Sequence, residues 1–375
     1  MSPMSPMSPM SPQSGSFDPW GWRPQQPSRL EQAVSLLRLS GADTLRFLHG
    51  QTSQAIEGAA PGSCLPTCVI SPTARMRALA EVLVEPNGAL LVITAGDGAL
   101  VREALDRVLF PADRVKLGPL LPAVLVGAVP GASEAAPLQG QPDVAAGSWI
   151  ALDDEAWLLG SAPGSAPGSE PEPGTRLLRL APQPGLNAQP LPPWLAERPI
   201  LGPGEQERWR IQHGWPASPG ELNDTTNPFE LGLADWVSLS KGCYVGQETL
   251  AKLSTYDGVK QHLRRWHATW PGQQLQPGPL LQPGQLQPGQ QLLGPSGERA
   301  GVISSALCLE ANLATGAKPG AKPETHWIGL ALVRRSALDQ PGLRAAGDGD
   351  GDSVSDGESP AAAAGTPWLE LSLPG

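Results

Sequence analysis

The residues best suited to chemistry crowd into one stretch, KGCYVGQETLAKLSTYDGVKQHLRR, from Lys241 to Arg265. Three of the chain's six lysines and both its tyrosines, Tyr244 and Tyr256, fall there. Gly242 and Gly246 flank Cys243 and Val245, which suits a tight turn whose backbone comes close to a neighbour. Gln247 to Leu253 are good helix formers, so the turn is expected to feed a helix N-terminus. A thiol placed there would feel the positive helix end and, two residues away, the Lys241 ammonium. Both favour thiolate, the form that attacks electrophiles or binds metal. A lone Cys is as readily buried and inert, and the residues alone leave both readings open. Cys64 and Cys68 are spaced C-x3-C, and with Cys243 and Cys308 they make four thiols. That spacing by itself is poor grounds for a metal or cluster site, so none is assigned. His49, His213, His262, His267 and His326 are scattered without metal spacing. His262 joins Lys252, Lys260, Arg264 and Arg265 in a basic run that suits phosphates or an anionic tail, or is simply a solvated face. The GDG at Gly96–Gly98 lacks the lysine and glycine pattern of a phosphate loop.

Alternating and periodic segments around this stretch supply the elements that must position it. Asp43 to Ile56 reads as a short helix broken near Gly50, Ala78 to Glu85 as a strand and Leu90 to Thr94 as a second, more buried one. Asp97 is a candidate cap for a helix to about Leu109, with Leu100, Val101, Ala104, Leu105, Val108 and Leu109 on one face. Val124–Val126 is another strand, and Glu205–His213 a helix stopped by Gly214 and Pro216. Gly301–Leu307 and Trp327–Val333 read as strands. The pattern is mixed α+β followed by a small all-β module. Between these elements, 44 Gly and 43 Pro among 375 residues mark low-complexity padding. Residues 1–27, opening on repeated Met-Ser-Pro, read as a disordered tail. A PGSAPGS insertion spans residues 161–174, a Gln-Pro-Gly run Pro271–Gln291, and a Gly-Ala-Lys-Pro repeat Thr315–Lys322. Asp348–Glu358 is an acidic run that reads as a solvated linker rather than an interaction tail. The division expected is a main domain over 28–270, a β-barrel module over 271–344, an acidic and Ala-rich disordered segment over 345–366, and a last barrel strand within 367–375. A net charge of -10 argues against broad nucleic-acid binding. No apolar run is long enough to span a membrane. Four Cys make no disulfide framework, and the first 22 residues carry no Lys or Arg, so the cytoplasm is the expected location.

The octet KGCYVGQE at Lys241–Glu248 resembles the signature of the YgfZ family of folate-binding proteins. ERWRIQHGWP at Glu207–Pro216 resembles that family's arginine-rich helix and following turn, and NPFELGL at Asn227–Leu233 its lead into the signature. LSGADTLRFLHGQTSQ at Leu39–Gln54 resembles its opening helix; GERAGVISS at Gly297–Ser305 and IGLALVRR at Ile328–Arg335 resemble its terminal barrel. Only the octet is highly specific, the rest being shared with a superfamily that includes the glycine cleavage T-protein, a tetrahydrofolate-dependent aminomethyltransferase. The resemblance implies two α+β subdomains around a central folate-sized cavity, then a small C-terminal β-barrel. It implies tetrahydrofolate as ligand, polyglutamylated forms included, for whose tail the basic run offers cations. It also implies a role in assembling or repairing iron–sulfur clusters, including those of tRNA-modifying enzymes, with a transient cluster and cluster carrier or client proteins as partners. A mitochondrial assembly factor belongs to the same group. Carried onto this chain, Cys243 would be the working thiol and Lys241 would hold it as thiolate. Arg210, Gln212, Asn227, Glu230, Tyr244, Gln247 and Glu248 would contact the folate or fix the turn. The T-protein relies on an acidic pair that aligns with Ala80 and Glu81; the Ala there counts against aminomethyl transfer. A folate-dependent one-carbon transferase and a non-catalytic folate-gated scaffold are the alternatives.

Overall fold

In the computed structural model the described residues are 18–133, 140–161, 174–182, 190–271, 286–309, 324–340, 342–346 and 368–372. The Met-Ser-Pro repeats, the Gly-Ala-Lys-Pro repeat and the acidic run lie outside them, as does most of the Gln-Pro-Gly run. The chain opens with β1 (Ser28–Ser40), α1 (Thr44–Gln51), β2 (Cys64–Ile70), β3 (Met76–Glu85), β4 (Gly88–Gly96), α2 (Gly98–Arg107) and β5 (Lys116–Val129). Then come β6 (Trp149–Ala151), β7 (Ala156–Leu159), β8 (Arg176–Leu180), α3 (Pro193–Ala196), α4 (Pro203–Gln212) and α5 (Gln247–Thr255). The last elements are β9 (Gln261–Pro271), β10 (Gln291–Leu293), β11 (Arg299–Leu309), β12 (Glu324–Arg334), β13 (Leu343–Ala345) and β14 (Trp368–Ser372).

Eight strands form one antiparallel sheet in the order β2-β3-β4-β1-β5-β8-β7-β6. The two halves meet where β1 pairs with β5 along almost its whole length. Because β3 and β4 are covered on both faces, nearly all their residues are buried, rather than every second one as in a half-solvated strand. On one face Ala78, Ala80, Val82, Leu91 and Ile93 pack under α1 and α2. On the other, Leu83, Leu90 and Val92 pack with Trp157 and Leu178. Further along that second face Cys68, Ile70, Met76 and Leu79 meet Trp236, Tyr244 and Leu250, and with them Leu263, Ile328 and Leu330 from the barrel strands. This central apolar cluster is where sheet, α5 and barrel join.

Asp97 caps α2, its Oδ1 accepting from the backbone N–H of Ala99 at 2.8 Å and Leu100 at 3.2 Å. The apolar face is narrower than its sequence suggests. Val101 and Leu105 are buried, but Leu100 is 62% exposed and the helix stops at Arg107.

The six-stranded barrel closes in the order β10-β11-β12-β9-β14-β13. It begins at Gln261, inside the segment expected to end the preceding domain, and Ala345, expected in the acidic segment, is a buried strand residue. Residues 18–27, expected in the disordered tail, are packed instead. Arg265 lies 4.6 Å over the Trp20 ring and Arg208 4.9 Å over Trp22, while Gln212 Nε2 donates to the Trp22 carbonyl at 3.1 Å. The physical reason is local: two indoles, spaced by Gly21, offer enough apolar face to hold a proline-rich segment down.

Candidate functional site

The signature loop is stapled to the C-terminal end of α1. A helix leaves its last carbonyls without partners and carries partial negative charge there. Lys241 Nζ supplies both the donors and the charge, donating to the carbonyls of His49, Thr52 (2.6 Å) and Gln54 (2.8 Å). It also sits 4.2 Å over the Tyr244 ring. Burial pulls this ammonium down to about 7, while the three carbonyls and the ring face favour its charged form. Further bonds hold the same two segments together. Val245 N–H donates to Gly50 O at 3.0 Å and Ser238 N–H to Ser53 O at 2.9 Å. The Ser53 hydroxyl donates to Trp236 O at 2.6 Å. His49 Nδ1 accepts from the N–H of Ile56 and Glu57, which fixes its ring as an acceptor at that nitrogen.

The turn itself depends on Gly246, which has φ +81° and leads into α5. A Cβ there would meet Ile70 Cδ1 at 2.8 Å and Ser71 O at 2.9 Å, so this backbone packs directly on the β2–β3 turn. Gly242 faces open space and makes no such approach. Gln247 Nε2 donates to Lys241 O at 3.2 Å, tying the helix start to the turn. Glu248 points outward and pairs with Lys252 at 2.7 Å, which lowers its carboxyl below the usual range.

Held on this loop, Cys243 is exposed on the approach to the N-terminus of α5. The other thiols differ. Cys64 and Cys68 are buried on β2, and burial pushes both up, Cys68 to about 12. Cys308 is half-buried in the barrel. Lys241 commits its three donors to carbonyls 187 to 192 residues away in sequence. It positions the loop that carries the thiol.

Of the residues expected to contact folate, Asn227 and Glu230 are bonded to each other, while Arg210, Gln212 and Tyr244 stand in other arrangements. Arg210 is a cross-brace: it pairs with Glu207 (2.6 Å), donates to Trp215 O and to Ser305 Oγ on β11 (2.7 Å), and reaches the fully buried Glu221. Ser305 in turn donates to Glu221 Oε1 at 2.8 Å. This buried set fastens α4 to the barrel and leaves Arg210 no open donor pair for a ligand. Asn227 closes a turn, its Oδ1 accepting from Phe229 N–H and Glu230 N–H, while Glu230 Oε2 accepts from Asn227 N–H at 2.9 Å. Burial raises the Glu230 carboxyl, against the pull of those bonds. Gln212 keeps a buried Oε1 with no hydrogen-bond partner among the described residues. Tyr244 has its ring in the central cluster and its hydroxyl buried with no hydrogen-bond partner among the described residues, and burial raises that hydroxyl to about 12.

Ala80 and Glu81 point to opposite faces of β3. Ala80 packs among the residues under the helices. Glu81 is buried on the other face and takes a bidentate pair from Arg176 of β8, at 2.8 and 3.0 Å, with the Cys64 thiol at 3.6 Å from Oε2. Arg176 carried no signal in the sequence because its partner is 95 residues away and no motif surrounds it. No group of three or more His, Cys, Asp or Glu suited to a metal ion exists among the described residues. No described helix is long and apolar enough to cross a membrane.

No protein-family model matches the chain. It is 30% identical over 251 residues to the Arabidopsis thaliana protein named "Putative transferase At1g60990, chloroplastic", an overlap of 60% of this chain and 52% of the relative. The chain thus spans about half the length of the curated relative it matches. Among solved structures it resembles the glycine cleavage system aminomethyltransferase T of Bartonella henselae, with a TM-score of 0.64 and 15% identity over 94% of this chain and 86% of that one. At that identity the likeness concerns architecture: the curled sheet and closed barrel are a T-protein-like fold.

Proposed function

We propose that this chain is a tetrahydrofolate-binding protein of the YgfZ type that supports assembly or repair of iron–sulfur clusters through the Cys243 thiol. The observation that carries the reading is the placement of Cys243, exposed on a loop that Lys241 and Val245 staple rigidly to α1. A heterocycle such as a pterin needs apolar packing plus a few fixed donors and acceptors. The central cluster offers the first, and the unpartnered Tyr244 hydroxyl within it offers the second. Gln212, whose buried Oε1 has no hydrogen-bond partner among the described residues, and the buried Glu230 carboxyl are the next candidates to hold the ligand. Folate would supply a one-carbon carrier; the chain's own part is to exclude water and present the thiol. Cluster carriers or client enzymes are the partners this reading requires, since an exposed thiol is reached by another macromolecule as easily as by a small molecule.

A one-carbon transferase is the second reading, favoured by the name of the Arabidopsis relative and the T-protein-like fold. Against it stands Ala80, where the aminomethyltransferases carry an acid, and the Glu81 carboxylate already committed to Arg176. A deletion strain decides between them. Loss of four-iron enzyme activity with normal glycine cleavage, rescued by Cys308→Ala but not by Cys243→Ala, supports cluster maintenance. Normal cluster enzymes with a failure to process a glycine-derived or methylamine substrate would establish the transferase. Full rescue by Cys243→Ala would leave a folate-gated scaffold.

A further inference from the structure

The barrel carries a cationic end that neither the thiol loop nor the central cluster uses. β9 and β12 pair without a register shift, setting His262 opposite Val333 and Arg264 opposite Ala331. Val333, Ala331 and Trp266 all belong to the barrel core. Since alternate residues share a face, His262 and Arg264 lie on the inner side of β9, at its first turn of pleat, where the barrel opens. The next residue on the outer side, Arg265, goes the other way and stacks on Trp20. Arg264 is half-buried, and makes no ion pair among the described residues; its one bond is Nη1 to the neighbouring Leu263 carbonyl at 2.9 Å. Arg335, which follows β12, converges on the same imidazole, as does Asp257. Asp257 is held by Arg335 through both its carboxylate and its carbonyl, in a left-handed backbone conformation. Lys260, whose carbonyl accepts from Arg335 N–H, and Arg334 add charge at the same end. Two other acids lie towards this end: Glu230, whose carbonyl accepts from Leu263 N–H at 2.7 Å and whose carboxylate accepts from Asn227 N–H, and Glu298, which is bonded to Gln340.

A half-buried guanidinium without a carboxylate is an unfavourable arrangement for a protein to keep, because desolvation is uncompensated. Barrel mouths are a common ligand position, and a planar fork of N–H donors matches carboxylate or phosphate oxygens two at a time. We propose that the mouth of the barrel beside Arg264, His262 and Arg335 is an oxyanion-binding site, taking a carboxylate or phosphate group on the free edge of Arg264. The inference does not depend on folate binding, and its probes contain no heterocycle.

The test uses the full chain with its arginine side-chain N–H groups followed by NMR, titrated separately with inorganic phosphate and with tri-γ-glutamate. A saturable shift of the Arg264 Nε–H signal is expected with at least one probe. Arg264→Gln should weaken that binding by about tenfold or more, the loss expected for a charge-assisted bond. Arg264→Lys, which keeps charge and loses the fork, should fall between, and Arg107→Gln, on α2 and paired with Glu103, should bind like wild type. A response to phosphate alone assigns a phosphate-bearing ligand; a response to tri-γ-glutamate alone assigns a polycarboxylate tail. No saturable shift of Arg264 with either probe overturns the proposal even if the Arg264 variants fail to fold. So does binding that survives Arg264→Gln undiminished. Either result leaves tetrahydrofolate binding to be judged by its own titration.

Discussion

At the scale of single residues, Lys241 fastens the signature loop to the end of α1 through three backbone carbonyls. Replacing Lys241 with Met leaves the carbonyls of His49, Thr52 and Gln54 buried without their donor. A loss of about 2–4 kcal/mol is expected from unpaired buried acceptors, together with faster amide exchange at Val245, readable by denaturant titration and hydrogen exchange. If Lys241 instead served only the thiol, stability would stay and the alkylation rate of Cys243 would fall. The thiols themselves should separate cleanly: Cys243 should be alkylated first in the native state, with Cys64 and Cys68 protected until the protein unfolds. Cys68 also sets a pH dependence. Burial raises it from 9.0 to about 12, so between those values the folded state keeps a proton that the unfolded state has lost. Its contribution is complete below pH 9.0 and disappears as pH rises towards 12. Urea midpoints at pH 8.5 and 10.5 should therefore fall less for Cys68→Ala than for wild type, the difference in slope approaching about 1.4 kcal/mol per pH unit.

At the scale of elements, the two glycines of the octet should answer differently to the same substitution. Gly246→Ala forces a Cβ against Ile70 and Ser71 in a left-handed backbone and should cost about 1–3 kcal/mol. Gly242→Ala, with open space around it, should stay within about 0.5 kcal/mol of wild type. Thermal melts of the pair check both, and equal effects would show that the turn does not rest on the approach to β2–β3. What was legible in the sequence follows the range of the interaction involved. Asp97 could be read as a cap because its partners are two and three residues away. The Gly246 turn and the start of α5 were readable for the same reason. The role of Lys241 was not, because its acceptors lie across the molecule. Nor was the bracing of Arg210 by Glu221 and Ser305, or that of Glu81 by Arg176: each joins elements whose proximity is a property of the tertiary fold. Leu100 kept its periodic place on α2 yet stayed in solvent, since a helix ten residues long buries a stripe only as wide as its neighbours cover.

At the scale of the whole molecule, the sheet, α4 and barrel are joined by a strap at residues 18–27 that composition alone assigns to a tail. Trp20 bridges Arg265 and His267 of β9, and Trp22 lies against Arg208 of α4. Trp20→Ala with Trp22→Ala should lower stability by about 2–4 kcal/mol through lost packing and cation–π contact. Deleting residues 1–17 alone should leave the melting midpoint unchanged, as a proline-rich repeat has little apolar surface to contribute. A midpoint equal to wild type in the double Trp variant would return residues 18–27 to the tail.

Closure of the barrel also has a temporal side. Its last described strand, Trp368–Ser372, sits between β9 and β13 and joins Glu370 to His267. That pairing spans roughly a hundred residues of chain, and contacts of such separation form late because the loop entropy must be met first. Until β14 arrives, β9 presents an open edge with unpaired amides and carbonyls beside the Trp266 indole. An edge of that kind recruits strands from other molecules. A chain stopped short of Trp368 should therefore enter aggregates during synthesis rather than accumulate as a soluble, slightly weaker protein. Co-expression of the missing segment as a separate peptide should relieve it.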